Sequence, residues 1–193
     1  MLNQLTQQRV LIFPALAWRR LEENLIEEFK GEAALIVASI GRSLGGSFAE
    51  EMIDEIGDPP ALAKCMSDVL DASGWGVFSI VGDTRYGTKV VISVANCVFC
   101  EKLPSGDFSR CDFLVGVVKG ILDRVYGTPH MVREERCEAA GESVCELVAE
   151  ECKPFQRCAE CANAKYCEAW SCVQEEREGS ARGEKGPPAL ADP

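Results

Sequence analysis

Residues 129–151, "PHMVREERCEAAGESVCELVAEE", decide how this chain is read. Two runs of alternating apolar and polar residues flank Gly141, the pattern of a β-hairpin that buries one face of each strand. The hairpin explains the glycine and the alternation. It does not explain why Cys137 and Cys145 stand at equal distances from the turn. With Gly141 at the centre of the loop, Cys137 lies directly across from Cys145. Such a pair has Cβ atoms about 4.5–5.5 Å apart, close enough to share a metal ion.

The hairpin closes a longer pattern. Upstream of it, "RCDFLVGVVKGILDRVY" (110–126) reads as a helix that Gly127 terminates, with Ser109 and Asp112 as a short capping box. Before that helix, "WGVFSIV" (75–81) and "TKVVISVANC" (88–97) read as strands joined by the loop "GDTRYG". Residues 13–30, 32–56 and roughly 60–72 carry helical periodicity, with Gly31 closing the first and Asp58-Pro59-Pro60 separating the second from the third. Gly41, Gly45, Gly116 and Gly120 fall inside helices and read as sites of close backbone packing rather than phosphate loops. Three helices, two strands, a helix and two strands make an α+β domain, with N-terminal helices packed on a four-stranded antiparallel sheet.

Composition bounds the function. The 193 residues are 47% hydrophobic and 26% charged, which suits one globular domain and an appendage. Twenty basic against 31 acidic residues leave a net charge of −11, with no cationic stripe to neutralise phosphates or anionic lipid. Nucleic acid and membrane are therefore not expected partners. No basic-then-apolar leader precedes the first helix, and no apolar run approaches the roughly 18 residues of a membrane span, so the expected compartment is the cytoplasm. Eleven cysteines are many for a compartment that keeps thiols reduced, and they point to metal or redox chemistry rather than to disulfides.

Cys65 is isolated, Cys97 and Cys100 form a CxxC, Cys111, Cys137 and Cys145 are spread out, and Cys152, Cys158, Cys161, Cys167 and Cys172 crowd together. Cys111, in the first turn of its helix, sits where the positive end of the helix dipole favours a thiolate. With Cys137, Cys145 and one carboxylate it makes a plausible tetrahedral site. The competing reading is three small cysteines in a core. Downstream, "CKPFQRCAECANAKYCEAWSC" supplies Cys158, Cys161, Cys167 and Cys172, with Cys152 as an alternative, and four thiolates suit zinc or an iron–sulfur cluster. These residues divide the chain into a domain at 1–151, a cysteine-rich segment at 152–173 and a polar, Gly/Pro-containing tail at 174–193 that reads as disordered.

The run from "CDFLVGVVKGILDRVYG" through "VREERCEAAGESVCELV" resembles the 4-vinyl reductase domain family, over roughly residues 30–150 and most closely over 109–150. That family includes a bacteriochlorophyll-biosynthesis protein, archaeal hydrocarbon-binding proteins and the sensor domains of phenol- and xylene-responsive activators. Its fold is similar to that of TRAPP trafficking subunits. In its phenol-sensor branch zinc is held by a helix-start cysteine, a glutamate three residues before a strand cysteine, and a cysteine eight further on. The resemblance places these at Cys111, Glu134, Cys137 and Cys145. Strand parity would instead put Glu135 on the side of Cys137, so Glu134 needs a bulge to reach, and Cys100 is a further candidate for the fourth position.

The resemblance implies a small apolar or aromatic ligand between helices and sheet, a homodimer through the N-terminal helices, and signalling through a protein partner. Trp75, Phe78, Phe113 and Leu114 are candidate pocket residues, each competing with a plain core role. The sensors' histidine–tryptophan pair has no counterpart, and the sole histidine, His130, opens a strand without a catalytic task. With no dinucleotide fingerprint and no nucleophile–base motif, independent reductase activity is not expected. Zinc is expected at the first site, an iron–sulfur cluster or zinc at the second. The rival function is an iron–sulfur electron-transfer protein or reductase component acting on a bound substrate.

Overall fold

A computed structural model describes residues 14–56, 58–82, 84–85, 87–100 and 111–152, all within the compact unit Met1–Cys152. Its helices are α1 (Ala15–Phe29), α2 (Ala33–Ile56), α3 (Pro59–Ala72) and α4 (Asp112–Tyr126). Its strands are β1 (Val77–Gly82), β2 (Lys89–Ala95), β3 (His130–Arg136) and β4 (Cys145–Glu151). The order is the one expected. None of the described helices is long and apolar enough to cross a membrane.

Local signals fix the element ends. The Asp58 side chain accepts a hydrogen bond from the Ala61 N–H at 3.2 Å, and the proline at the start of α3 brings a φ already suited to a helix. Gly127 ends α4 in the left-handed conformation, φ 66°, where a side chain would be strained. At the other end of α4 the expected capping box is replaced. Cys111 itself is the N-cap, its side chain makes no capping hydrogen bond, and Ser109 lies outside the described residues. The Cys111 sulfur is engaged with other cysteines instead.

The strands form one antiparallel sheet in the order β1-β2-β4-β3. Helices α3 and α4 pack on it, and α2 packs on α4. The hairpin register departs by one residue from the expected one, pairing Glu134 with Leu147. A bulge then restores it: Arg136 pairs with Glu146, leaving Glu135 as the extra residue. The core lies between α4 and the sheet, where Leu114, Val117, Val94 and Leu147 are wholly buried. Each contributes about 1.5–3 kcal/mol over an exposed position.

Glycine sets the approach of α2 to α4. A Cβ on Gly116 would lie 2.0 Å from the Ala38 carbonyl oxygen, and one on Gly45 would lie 2.1 Å from that of Val117. Gly41 and Gly120 face backbone just as closely. The close-packing expectation for all four holds.

Candidate metal centre

Five buried cysteines meet where β2 ends, α4 begins and the β3–β4 hairpin turns: Cys97, Cys100, Cys111, Cys137 and Cys145. Each position has a local cause. The Cys100 N–H donates to the Cys97 carbonyl at 3.0 Å, closing a turn that carries both thiols inward. In the hairpin, Cys137 precedes a short 3₁₀ turn, Glu138–Ala140, whose exit needs the left-handed Gly141 (φ 95°). The Glu138 carboxylate joins the two turns, accepting from the N–H groups of Asn96 (2.8 Å) and Cys97 (2.9 Å). Its own N–H donates to Cys145 Sγ at 3.4 Å, a partner suited to a thiolate.

The sulfurs are close together. Cys100 Sγ lies 3.3 Å from that of Cys111, 3.4 Å from Cys137 and 3.5 Å from Cys145, and Cys97 Sγ lies 3.9 Å from Cys111. Donor atoms of Cys111, Glu134, Cys137 and Cys145 all lie within 4.8 Å of one another, as do those of Cys97, Cys100, Cys111 and Cys145. The bulge at Glu135 is what brings Glu134 in, because the extra residue puts Glu134 and Cys137 on one face. Glu135 itself is exposed and pairs with Arg133, so it is not part of the cluster. The CxxC of Cys97 and Cys100 was visible in the sequence. What sequence could not show was that the end of β2 folds back onto the hairpin turn.

The donor set suits a single thiophilic ion. Tetrahedral zinc with thiolates at about 2.3 Å has sulfurs about 3.8 Å apart, close to the separations found here. A polynuclear iron–sulfur core would hold its cysteines around a much larger body. Electrostatics also favours a cation. The Cys145 thiol is acidified by hydrogen bonds from Cys100 and Cys111, while Cys111 is pushed up by its hydrogen bond to Cys100 and by its other sulfur neighbours. Burial pushes the Glu134 carboxyl up to about 8. One negative charge is tolerated here and further ones are resisted unless a positive ion enters. The cluster could hold a metal ion, and its geometry alone does not name the element.

A second feature lies between α3, α4 and the sheet, toward the other end of α4. It is a cavity of ≈ 50 Å³ lined by Met66 and Leu70 of α3, Phe78 and Ile80 of β1, Val90 and Ile92 of β2, and Val118, Ile121, Leu122 and Tyr126 of α4, with Thr84 at its edge. Of the four candidate pocket residues only Phe78 lines it. Leu114 is wholly buried core, and Trp75 and Phe113 pack instead with Phe99 and with Trp18 of α1. His130 is wholly buried at the start of β3, its ring nitrogens 2.8 Å from the Thr128 carbonyl and 3.0 Å from that of Gly87. Of the second set of cysteines, Cys158, Cys161, Cys167 and Cys172 lie outside the described residues. Cys152 is half-buried just after β4, its N–H bonded to the Pro129 carbonyl.

Residues 90–151 match the 4-vinyl reductase domain. No curated protein sequence matches the chain. Among solved structures, the phenol-responsive sensory domain of the transcription activator PoxR, solved with phenol, is similar with a TM-score of 0.68 at 14% identity, over 82% of this chain and 84% of that one. A vinyl-4-reductase family protein from Methanocaldococcus jannaschii is similar with a TM-score of 0.55 at 17% identity, over 75% and 85% of the two chains. A trafficking protein particle complex subunit 3 from Naegleria fowleri, covalently bound to palmitic acid, gives 0.54 at 11% identity over 72% and 93%. At these identities the three likenesses establish the fold.

Proposed function

From the match of residues 90–151 to the 4-vinyl reductase domain, we propose that the chain is a small-molecule-binding sensory module for apolar or aromatic ligands, stabilised by a metal at the sulfur cluster. The observation that carries the reading is the cavity between α3, α4 and the sheet. Its walls are apolar apart from Thr84 and Tyr126, whose hydroxyl already donates to the Thr84 carbonyl at 2.7 Å. Such a lining rewards burial of apolar surface and offers little to a charged metabolite. At ≈ 50 Å³ the cavity would have to widen to admit even a single ring, since an apolar cavity that takes benzene measures about 150 Å³. PoxR's sensory domain, with phenol, and the palmitate-bound trafficking subunit share this fold, which is consistent with such an occupant.

In this reading the module's output passes by protein contact. The apolar residues Leu16, Leu21, Ile26 and Phe29 of α1 are exposed and offer a surface for a second copy or for a partner. A reducing compartment, the cytoplasm, suits so many thiols. The cysteines at 158, 161, 167 and 172 form a separate metal site in this reading, for an iron–sulfur cluster or zinc, with iron–sulfur slightly favoured by the spare Cys152 and the absence of histidine from the tail. Brown colour and sulfide that vanish when those four are changed to serine would support the electron-transfer alternative.

The test of the sensory reading is calorimetric titration of the purified, metal-loaded full chain with phenol, toluene and octanoate. Saturable binding of at least one, with a negative heat-capacity change and loss of binding in Ile92→Phe, is expected. Failure of all three to bind would overturn the ligand-binding reading while leaving the metal centre standing.

A further inference from the structure

We propose that Cys100 is the fourth ligand of the metal centre, giving an all-thiolate set of Cys100, Cys111, Cys137 and Cys145, with Glu134 and Cys97 packed beside it. The proposal rests on the reading of the cluster as a metal site. It departs from the glutamate-containing set that the family resemblance implies.

The geometry carries the assignment. A tetrahedral ion held by Cys111, Cys137 and Cys145 needs one more donor at a similar distance from all three. Cys100 Sγ meets that condition at 3.3, 3.4 and 3.5 Å. Cys97 does so less well, its sulfur lying 3.9 Å from that of Cys111 against 3.3 Å for Cys100. Glu134 also brings a buried carboxylate oxygen to the cluster, so the sulfur distances and not burial set Cys100 apart. A thiol left unligated at 3.3–3.5 Å from three ligating sulfurs would crowd the ion without forming a bond to it. Soft donors also match a thiophilic divalent ion better than a carboxylate does.

The local fold prepares Cys100 for this task. The turn closed by the Cys100 N–H and the Cys97 carbonyl aims the side chain at the hairpin, and Glu138 holds that turn by the N–H groups of Asn96 and Cys97. The ion then joins four chain segments: the end of β2, the start of α4, the end of β3 and the start of β4. With the glutamate-containing set, β2 would not be tied.

The experiment uses the full-length chain with Cys158, Cys161, Cys167 and Cys172 changed to serine, so that sulfur from the tail does not enter. Zinc X-ray absorption of this parent is expected to show four sulfur scatterers. Glu134→Gln should keep all four and bind zinc within roughly tenfold of the parent, as an outer partner does. Cys100→Ser should show three sulfurs and one light atom, with zinc binding weakened by more than about 100-fold, beyond what outer partners contribute. Cobalt(II) substitution provides a second readout, its thiolate charge-transfer band falling in Cys100→Ser and not in Glu134→Gln. Three sulfurs and one oxygen in the parent, with the oxygen's loss in Glu134→Gln, would overturn the proposal and keep the metal centre. Four sulfurs persisting in Cys100→Ser would overturn it in favour of Cys97. A parent that binds no zinc would overturn the metal reading itself, and the proposal with it.

Discussion

At its first residue α4 meets five buried cysteines; eleven residues on, its Asp123 meets charges. Asp123 accepts the His130 N–H at 2.7 Å, lies 3.1 Å from Arg42 of α2 and 3.1 Å from Lys119 one turn back, and faces the His130 ring at 3.7 Å. Lys119 also donates to the His130 carbonyl. Strand β3 runs between the same two regions, from His130 to Cys137. The charged end is complete within the chain, because a buried carboxylate has found cations and N–H donors. The sulfur end presents acids to acids. A cation from solution would answer them, and one helix would then be anchored by its own sequence at one end and by a ligand at the other.

The strongest way to break that comparison is to remove the ligand. Stripping metal with a strong chelator should loosen the β2–α4–hairpin junction, since structural zinc supplies on the order of 10 kcal/mol in small peptides, and a sizeable part of that here. Hydrogen exchange is the measurement. The amide of Val115, bonded to the Cys111 carbonyl at 2.8 Å, should lose protection well before that of His130. Equal loss at both would mean the two ends are not separately anchored.

A smaller effect comes from the middle of the helix, which serves both ends. Gly116→Ala places a methyl group against the Ala38 backbone, which has no flexible tip to give way. Overpacking of this kind costs about 1–3 kcal/mol, and the upper end is expected. Denaturant unfolding should show the loss while zinc stoichiometry stays at the parent value. A parent-like midpoint would show that α2 and α4 can separate freely.

How much of this was legible follows from what decides each feature. Helices and strands were readable because period and punctuation are local: Asp58-Pro59-Pro60 and Gly127 mark their ends whatever surrounds them. The hairpin register was not readable, because a bulge at Glu135 is set by pairing across the sheet. Three of the clustered cysteines were marked by their spacing and by resemblance. Cys100 stood only as an alternative, because its closeness to Cys137 depends on two turns meeting in space. Glu138, which joins those turns, carried no sequence signal distinguishing it from the glutamates around it. The charged end went unread for the same reason, since Arg42, Lys119, Asp123 and His130 lie on three separate elements.

The smallest effect sharpens the comparison from the charged end. In Asp123→Asn the side chain keeps its shape and loses its charge, leaving Lys119, at 11% side-chain exposure, short of a counter-ion. Loss of a wholly buried partner costs about 3–5 kcal/mol. Arg42, at 37%, is solvated enough that about 1–2 kcal/mol is expected here at neutral pH. The sign of the pH dependence follows from the carboxyl's environment. Burial alone would raise the acid's pKa, but the His130 side chain and N–H, together with Lys119, hold it below the usual 3.8. A depressed acid stabilises the fold above its unfolded-state pKa, and that contribution fades as pH falls through the folded value. The stability gap between the parent and Asp123→Asn should therefore be constant down to about pH 4 and narrow below it. Protonation of the thiolates releases metal in acid from both proteins alike, so the gap isolates the charged end. Parallel stability curves all the way to about pH 3 would mean that Asp123 contributes shape and not charge.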